Sequence, residues 1–284
     1  MTLNDFNHWV GRTETKHALI DPAAVAALAA TLDATDAPGH GKSLPTGWQW
    51  LFFNPVAAQR LLGDDGHPRR DVEGSFLPPI PLPRRMWAGS RINYLAAIPI
   101  GSQAARTSRI LKISPKAGRS GSMCFVTVSH TIAVDDRVCV VEEQDIVYRE
   151  AATATASVAA EPGAAAPIQW RDQLVPTTAL LFRYSALTFN GHRIHYDLPY
   201  AQDVEFYRGL VVHGPLTATL LQQFAGRCKP GQHLKNFEFK GVSPMYCGER
   251  MELQAWEDQS SGALQLRAVN AQGAAGMQAL ATWA

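Results

Sequence analysis

Strand-like runs dominate the hydrophobic pattern of this chain. Residues 109–113, 123–132 and 138–148 read as strands in the first half, and 234–242, 251–257, 264–270 and 277–283 in the second. Asp135-Asp136 is turn-like and joins two of the first set, and EDQSSG at residues 257–262 joins two of the second. Helical spacing appears twice. Asp21 suits an N-cap and Pro22 an N1 position, ahead of AAVAALAATL. Further on, Leu216, Leu220, Leu221 and Phe224 recur on one face of a helix over residues 215–225, with Gly226 expected just past its end. A short strand-like piece is expected near residues 180–184, and an irregular stretch rich in Pro, Gly and Trp over residues 33–91.

Residues 151–167, AATATASVAAEPGAAAP, carry few large side chains and cannot build a core, so they read as a linker. The chain then divides into residues 1–150, a linker over 151–168, and residues 169–284. Each half holds one apolar helix and several antiparallel strands, an α+β arrangement in which the helix covers one face of a curled sheet. Two such units in tandem suggest a duplication, which rests on pattern alone because the halves share no clear sequence repeat.

Composition narrows the class further. The 284 residues are 46% apolar and 18% charged, enough for a sizeable core, and the net charge of +1 implies neither a nucleic-acid nor a membrane partner. Cys124, Cys139, Cys228 and Cys247 form no CxxC and read as small buried hydrophobes. The opening MTLNDFNHWVGRTE has no apolar signal core, and no apolar run approaches the ~18 residues of a membrane span, so a cytoplasmic location is expected.

The chemistry concentrates in FRYSALTFNGHRIHYDLPYA and the LVVHGPLTATLLQQFAG that follows. Asn190, His192 and His195 form a polar knot, and His213-Gly214-Pro215 opens the apolar helix. Water addition to an unsaturated acyl thioester needs a base at the water, a proton for Cα, and donors for the enolate oxygen. Histidine suits proton transfer, and His195 is the leading candidate. Gly214 is the leading backbone donor at the helix start, where N–H groups lack intrahelical acceptors. His-x-x-His lacks an evident third ligand, so no metal is expected. Arg84, Arg85 and Trp87 follow a proline-stiffened run, and the two guanidinium groups could clamp a carboxylate or phosphate. Arg119 reads as a turn residue.

These residues resemble the motif of the MaoC-like, R-specific enoyl-CoA hydratase/dehydratase family. In that motif Gly-Asp-x-Asn-Pro-(Leu/Ile)-His precedes a His-Gly at a helix start. The resemblance implies a double hot-dog fold, two tandem sheets each wrapped around a helix. It also implies a degenerate, substrate-binding first half and a catalytic second half. His195 matches the catalytic histidine and Gly214 the backbone donor to the thioester carbonyl. Asn190 stands at the position of the catalytic aspartate and His192 at that of the motif asparagine; His213 falls among the substrate-binding positions. A carboxamide cannot take a proton as a carboxylate can. TFNGHRIHYD, GWQWLFF, GDDGHPRR, FLPPIPLPRRMWAG, KAGRSGSMCFVTV and EEQDIVYR resemble one branch of the family. That branch holds mitochondrial hydroxyacyl-thioester dehydratases and bacterial mesaconyl-C4-CoA (3-methylfumaryl-CoA) hydratases.

The resemblance implies a hydro-lyase acting on a CoA thioester, most specifically one with a second carboxylate, and no cofactor beyond the coenzyme A of the substrate. An (R)-3-hydroxyacyl-thioester dehydratase of the fatty-acid type is the nearest alternative. A hot-dog thioesterase is disfavoured because residues 215–225 contain no Asp or Glu, and a non-catalytic acyl-CoA-binding protein is the remaining one. Exposed sheet edges in a tandem chain could support a homodimer.

Overall fold

A computed structural model describes residues 3–34, 37–118, 121–151 and 167–284. The expected linker lies almost wholly outside the described residues, and so does Arg119.

The strands are β1 (Thr13–Leu19), β2 (Arg84–Tyr94), β3 (Gln103–Gly118), β4 (Gly121–Val134) and β5 (Arg137–Arg149), then β6 (Trp170–Leu174), β7 (Leu234–Gly241), β8 (Met251–Glu257), β9 (Leu264–Val269) and β10 (Ala275–Trp283). They form one antiparallel sheet in the order β1-β3-β4-β5-β2-β7-β10-β9-β8-β6. Counted from its own first strand, each half runs first-third-fourth-fifth-second, and the two second strands pair at the centre. The duplication that residue identities hide is therefore visible in the topology.

The central seam depends on Gly89. A Cβ there would lie 2.3 Å from the Phe239 carbonyl oxygen on the facing strand, so only glycine lets β2 approach β7. Asp135 and Asp136, with φ of 47° and 61°, make the tight turn between β4 and β5.

Among the described residues, three α-helices cover the sheet. In α1 (Pro22–Thr31), the Asp21 carboxylate accepts from the Ala23 N–H, as the capping pattern predicts. The second is α2 (Thr178–Leu187), capped by Thr177, whose hydroxyl accepts from Leu180 N–H. The third, α3 (Gly214–Cys228), packs on β7 to β10 as the central helix of the second half. Helices α1 and α2 each follow the first strand of their half and pack on one another. Among the described residues the first half has no counterpart of α3. Its place in the chain is taken by short 3₁₀ turns and loops, Pro- and Gly-rich, and one of these loops crosses to the second half.

The main core spans both halves, with Val25, Leu28, Trp48, Leu216, Leu221 and Phe237 in one buried cluster. Cys124, Cys139 and Cys228 are buried and Cys247 is partly so, all as free thiols.

Several expectations need correction. Residues 180–184 are helical, not a strand, because Leu181, Tyr184 and Ser185 form a buried face at helical spacing. Gly226 does not end α3; it sits on the exposed side while Phe224, Ala225 and Cys228 carry the buried face one turn further. The irregular stretch ends at Pro83, not Arg91, since β2 begins at Arg84 directly after the prolines. β1 and β6 escaped notice because TETKHAL and WRDQL are polar edge strands with little buried surface.

Candidate active site

The site begins at the end of α2. Phe189 adopts a left-handed backbone (φ 49°), and Asn190 N–H then turns back to the Ser185 carbonyl at 2.9 Å. The Asn190 carboxamide oxygen accepts from His192 N–H at 3.0 Å, an Asx turn that directs the chain into the 3₁₀ turn Arg193–His195. Asn190 therefore shapes the backbone that carries the two histidines.

His195 is 7% exposed. Its Nδ1–H donates to the Val211 carbonyl at 2.7 Å, which leaves Nε2 unprotonated when the ring is neutral. Burial pushes its pKa down to about 4, so the ring is neutral at neutral pH. His213 stacks on His195 with centroids 3.6 Å apart. It is 0% exposed and its Nε2 shares a hydrogen bond with Ser185 Oγ at 2.8 Å. The structure thus places His213 behind His195 as its support, rather than on a substrate surface as expected from the motif. Gly214 begins α3, with no side chain capping that end and nothing within 4 Å of where a Cβ would project. Open space coincides there with N–H groups that have no acceptor among the described residues.

The loop that crosses from the first half completes the site. Arg193 N–H donates to the Asp65 carbonyl and its Nη1 to the Asp64 carbonyl, both at 2.9 Å. Gly66 has φ +83°, and a Cβ there would lie 1.9 Å from the Gly191 carbonyl oxygen, so this close approach needs glycine. The loop delivers His67, whose Nδ1–H donates to Asp65 Oδ2 at 2.8 Å while its backbone N–H donates to Oδ1 at 2.9 Å. The His67 ring lies 4.2 Å from that of His192, which lies 5.4 Å from that of His195. Four imidazoles thus form a ladder, His67–His192–His195–His213.

Burial, and then Arg85, push His67 down to about 4. Burial and the neighbouring His67 likewise hold His192 below the ordinary range, and burial alone dominates for His213. Burial alone would raise the Asp65 carboxyl, but the hydrogen bond and charge of His67 outweigh it and hold it low. Asp65, His67 and His192 bring ligand-type atoms within 4.8 Å of one another. Two of these groups satisfy each other as a carboxylate–imidazole pair.

A cavity of about 500 Å³ meets the ladder at His67, and Asp65, Arg70, Arg84, Arg85 and Tyr200 also line it. The two arginines of β2 differ. Arg84 Nε donates to Glu205 and its Nη2 to the Tyr207 hydroxyl, each at 2.6 Å, with the side chains of Arg84 and Glu205 only 15% and 9% exposed. Arg84 is thereby committed to tying β2 to the second half. Arg85 makes no ion pair among the described residues. Trp87 donates to the Gly89 carbonyl and Ser90 Oγ and packs edge-on to Trp50 at 5.0 Å. It is partly buried and packs against the main core.

The family model of hydroxyacyl-thioester dehydratase type 2 matches residues 47–247, a span that ends between β7 and β8. The chain belongs to this family. It is 43% identical to a mesaconyl-C(4)-CoA hydratase of Chloroflexus aurantiacus, covering 90% of this chain and 94% of that protein. It is 23% identical to the mitochondrial hydroxyacyl-thioester dehydratase type 2 of Schizosaccharomyces pombe, covering 74% of this chain and 77% of that one. A solved MaoC-like dehydratase superposes over 99% of both chains, with a TM-score of 0.71 at 14% identity. A Mycobacterium tuberculosis protein described as a double hot-dog fold superposes over 100% of this chain and 98% of its own, with a TM-score of 0.56 at 14% identity. The α+β double hot-dog fold follows, and this dehydratase-family chain is a hydro-lyase of acyl thioesters.

Within that family frame, sequence reasoning brought Asn190, His192, His195, His213 and Gly214 to one place. It missed Asp65, His67, Arg70 and Ser185. The glycine-flanked GDDGHPRR was the available signal, because a polar loop with two glycines and a histidine is built for close approach.

Proposed function

We propose that this enzyme reversibly hydrates mesaconyl-C4-CoA (3-methylfumaryl-CoA), an unsaturated thioester with a second carboxylate. Arg85 carries the proposal. It lines the cavity beside His67, burial pulls its guanidinium below the ordinary range, and it makes no ion pair among the described residues. Arg70 lines the same cavity with Nη1 buried and without an acceptor among the described residues. Two guanidinium groups on one cavity wall, one without an ion pair and the other with a buried N–H without an acceptor among the described residues, suit a bound carboxylate. The similarity to the Chloroflexus mesaconyl-C(4)-CoA hydratase supports the same substrate.

In this reading the thioester oxygen lies against the N–H groups that open α3 at Gly214, which stabilise the enolate. His195 holds the attacking water by accepting one O–H through its unprotonated Nε2, and His213 and the Val211 carbonyl fix the ring. Asn190 sets the backbone turn, and the coenzyme A enters only as part of the substrate.

The test is a comparison of kcat/KM for mesaconyl-C4-CoA, itaconyl-CoA, crotonyl-CoA and a longer enoyl-CoA, followed by loss of the conjugated thioester absorbance. Preference for mesaconyl-C4-CoA is the expected result. Preference for the long chain would favour the fatty-acid type of dehydratase. Thiol release would favour a thioesterase.

A further inference from the structure

The second O–H of the water must break as its oxygen joins Cβ, and the motif residue that usually stands at position 190 to help is a carboxamide here. Its oxygen is already accepting from His192 N–H. The proton therefore needs another acceptor, and a good one is a base whose cation has a counter-charge beside it. Of the four imidazoles of the ladder, His195 has a backbone carbonyl on Nδ1 and His213 a serine on Nε2. Only His67 has a carboxylate, Asp65, on its Nδ1.

We propose that the Asp65–His67 pair, carried across by the loop of the N-terminal half, is a catalytic acid–base unit of the hydration. This rests on the hydratase reading above and goes beyond the second-half motif. His67 Nε2 has no partner among the described residues, and the ring lines the cavity. Arg85 and Arg70 face the same ring from β2 and from the loop itself, Asp65 holds its far nitrogen, and His192 packs on its face. In 3-methylfumaryl-CoA the second carboxylate is borne on Cβ. A carboxylate seated on Arg85 therefore brings Cβ, where the water attacks, to the His67 end of the ladder.

The step balances with water as the sole co-reactant. The water oxygen bonds to Cβ while one O–H bond breaks and its proton passes to His67 Nε2. The electron pair of the double bond moves through Cα onto the thioester oxygen. The enolate then collapses, Cα takes the proton back from His67, and the imidazole ends neutral. Asp65 keeps Nδ1 protonated and offsets the transient imidazolium, as a positioning residue. Gly66 makes the delivery possible by letting the loop meet Gly191 backbone to backbone.

The experiment is steady-state kinetics of His67→Gln in the full chain. Glutamine can keep a donor toward Asp65 but cannot carry a proton. We expect kcat to fall by about 10²–10⁴-fold with KM little changed and the protein folded by circular dichroism. Asp65→Asn should lower kcat by a smaller factor, again with KM little changed, and serves if His67→Gln does not fold. Near-normal kcat in the folded variant would overturn the proposal. So would activity that disappears with a chelator and returns with zinc, which would make the cluster a metal site. Wild-type protein inert toward every unsaturated thioester would instead overturn the hydratase reading, so the two failures are distinguishable.

Discussion

The imidazoles of His67 and His192 come from opposite halves of the chain and lie with centroids 4.2 Å apart. This contact brings the first half into the candidate site beside the motif histidines of the second. Among the described residues, the stretch between α1 and β2 holds no counterpart of α3 and instead forms the loop that carries Asp65 and His67 across.

His195 and Asn190 should separate by role. His195→Ala should cut turnover of the unsaturated thioester by about 10²–10⁴-fold, because the ring that holds the water is gone. Asn190→Ala should lose less, since it removes an Asx turn, and Asn190→Asp should retain activity because a carboxylate accepts from His192 N–H equally well. Near-normal turnover in His195→Ala would remove that residue from the site.

Arg84 and Arg85 should also part company. Arg85→Gln should raise KM for mesaconyl-C4-CoA by at least about 10-fold, as a charged hydrogen bond contributes roughly 1.5–3 kcal/mol, and leave crotonyl-CoA nearly unaffected. Arg84→Gln should instead lower the melting temperature, because it strands Glu205. Equal effects of Arg85→Gln on both substrates would contradict the carboxylate clamp.

Gly89→Ala should weaken the central seam. The new Cβ would stand 2.3 Å from the Phe239 carbonyl oxygen, and relieving that clash should cost about 1–3 kcal/mol of stability. Urea unfolding measures it directly. An unshifted midpoint would mean that β2 and β7 can part without loss.

Stability should fall on acidification. Burial holds His67 and His195 at about 4 in the folded chain, against 6.5 for the free side chain, and His130 at about 3. Below 6.5 the unfolded chain binds protons at these rings and the folded chain does not, so unfolding takes up protons. Their contribution is full above that pH and declines by about 1.4 kcal/mol per pH unit per histidine until the folded rings protonate. Urea midpoints across this window should drop, and the slope should be shallower in His67→Gln. A flat or rising profile would count against neutral buried rings.

The motif of the second half was legible because its signals are local. His195, the Asn190 turn and the Gly214 helix start lie within one stretch, and their spacing fixes their neighbours through a short turn and a helix cap. The strands β4, β5 and β8 to β10 were legible for the same reason, each being an apolar run bounded by turn residues. Residues 180–184 misled because three consecutive large apolar side chains suit a strand or a helix equally, and the decision came from packing on α1.

By itself, the sequence determined the α+β class through its periodicity, and its resemblance to the family pointed to the double hot-dog fold and to the motif histidines, which lie at short spacings. Only the tertiary structure decided which arginine is free for a ligand, because Arg84 meets Glu205 across 121 residues of chain. It also decided that His213 is sealed behind His195 and that Asp65 and His67 join the ladder. These are contacts between distant segments, set by the β2–β7 seam and by the backbone approach of Gly66 to Gly191. No local pattern encodes which loop a seam will bring to which helix end.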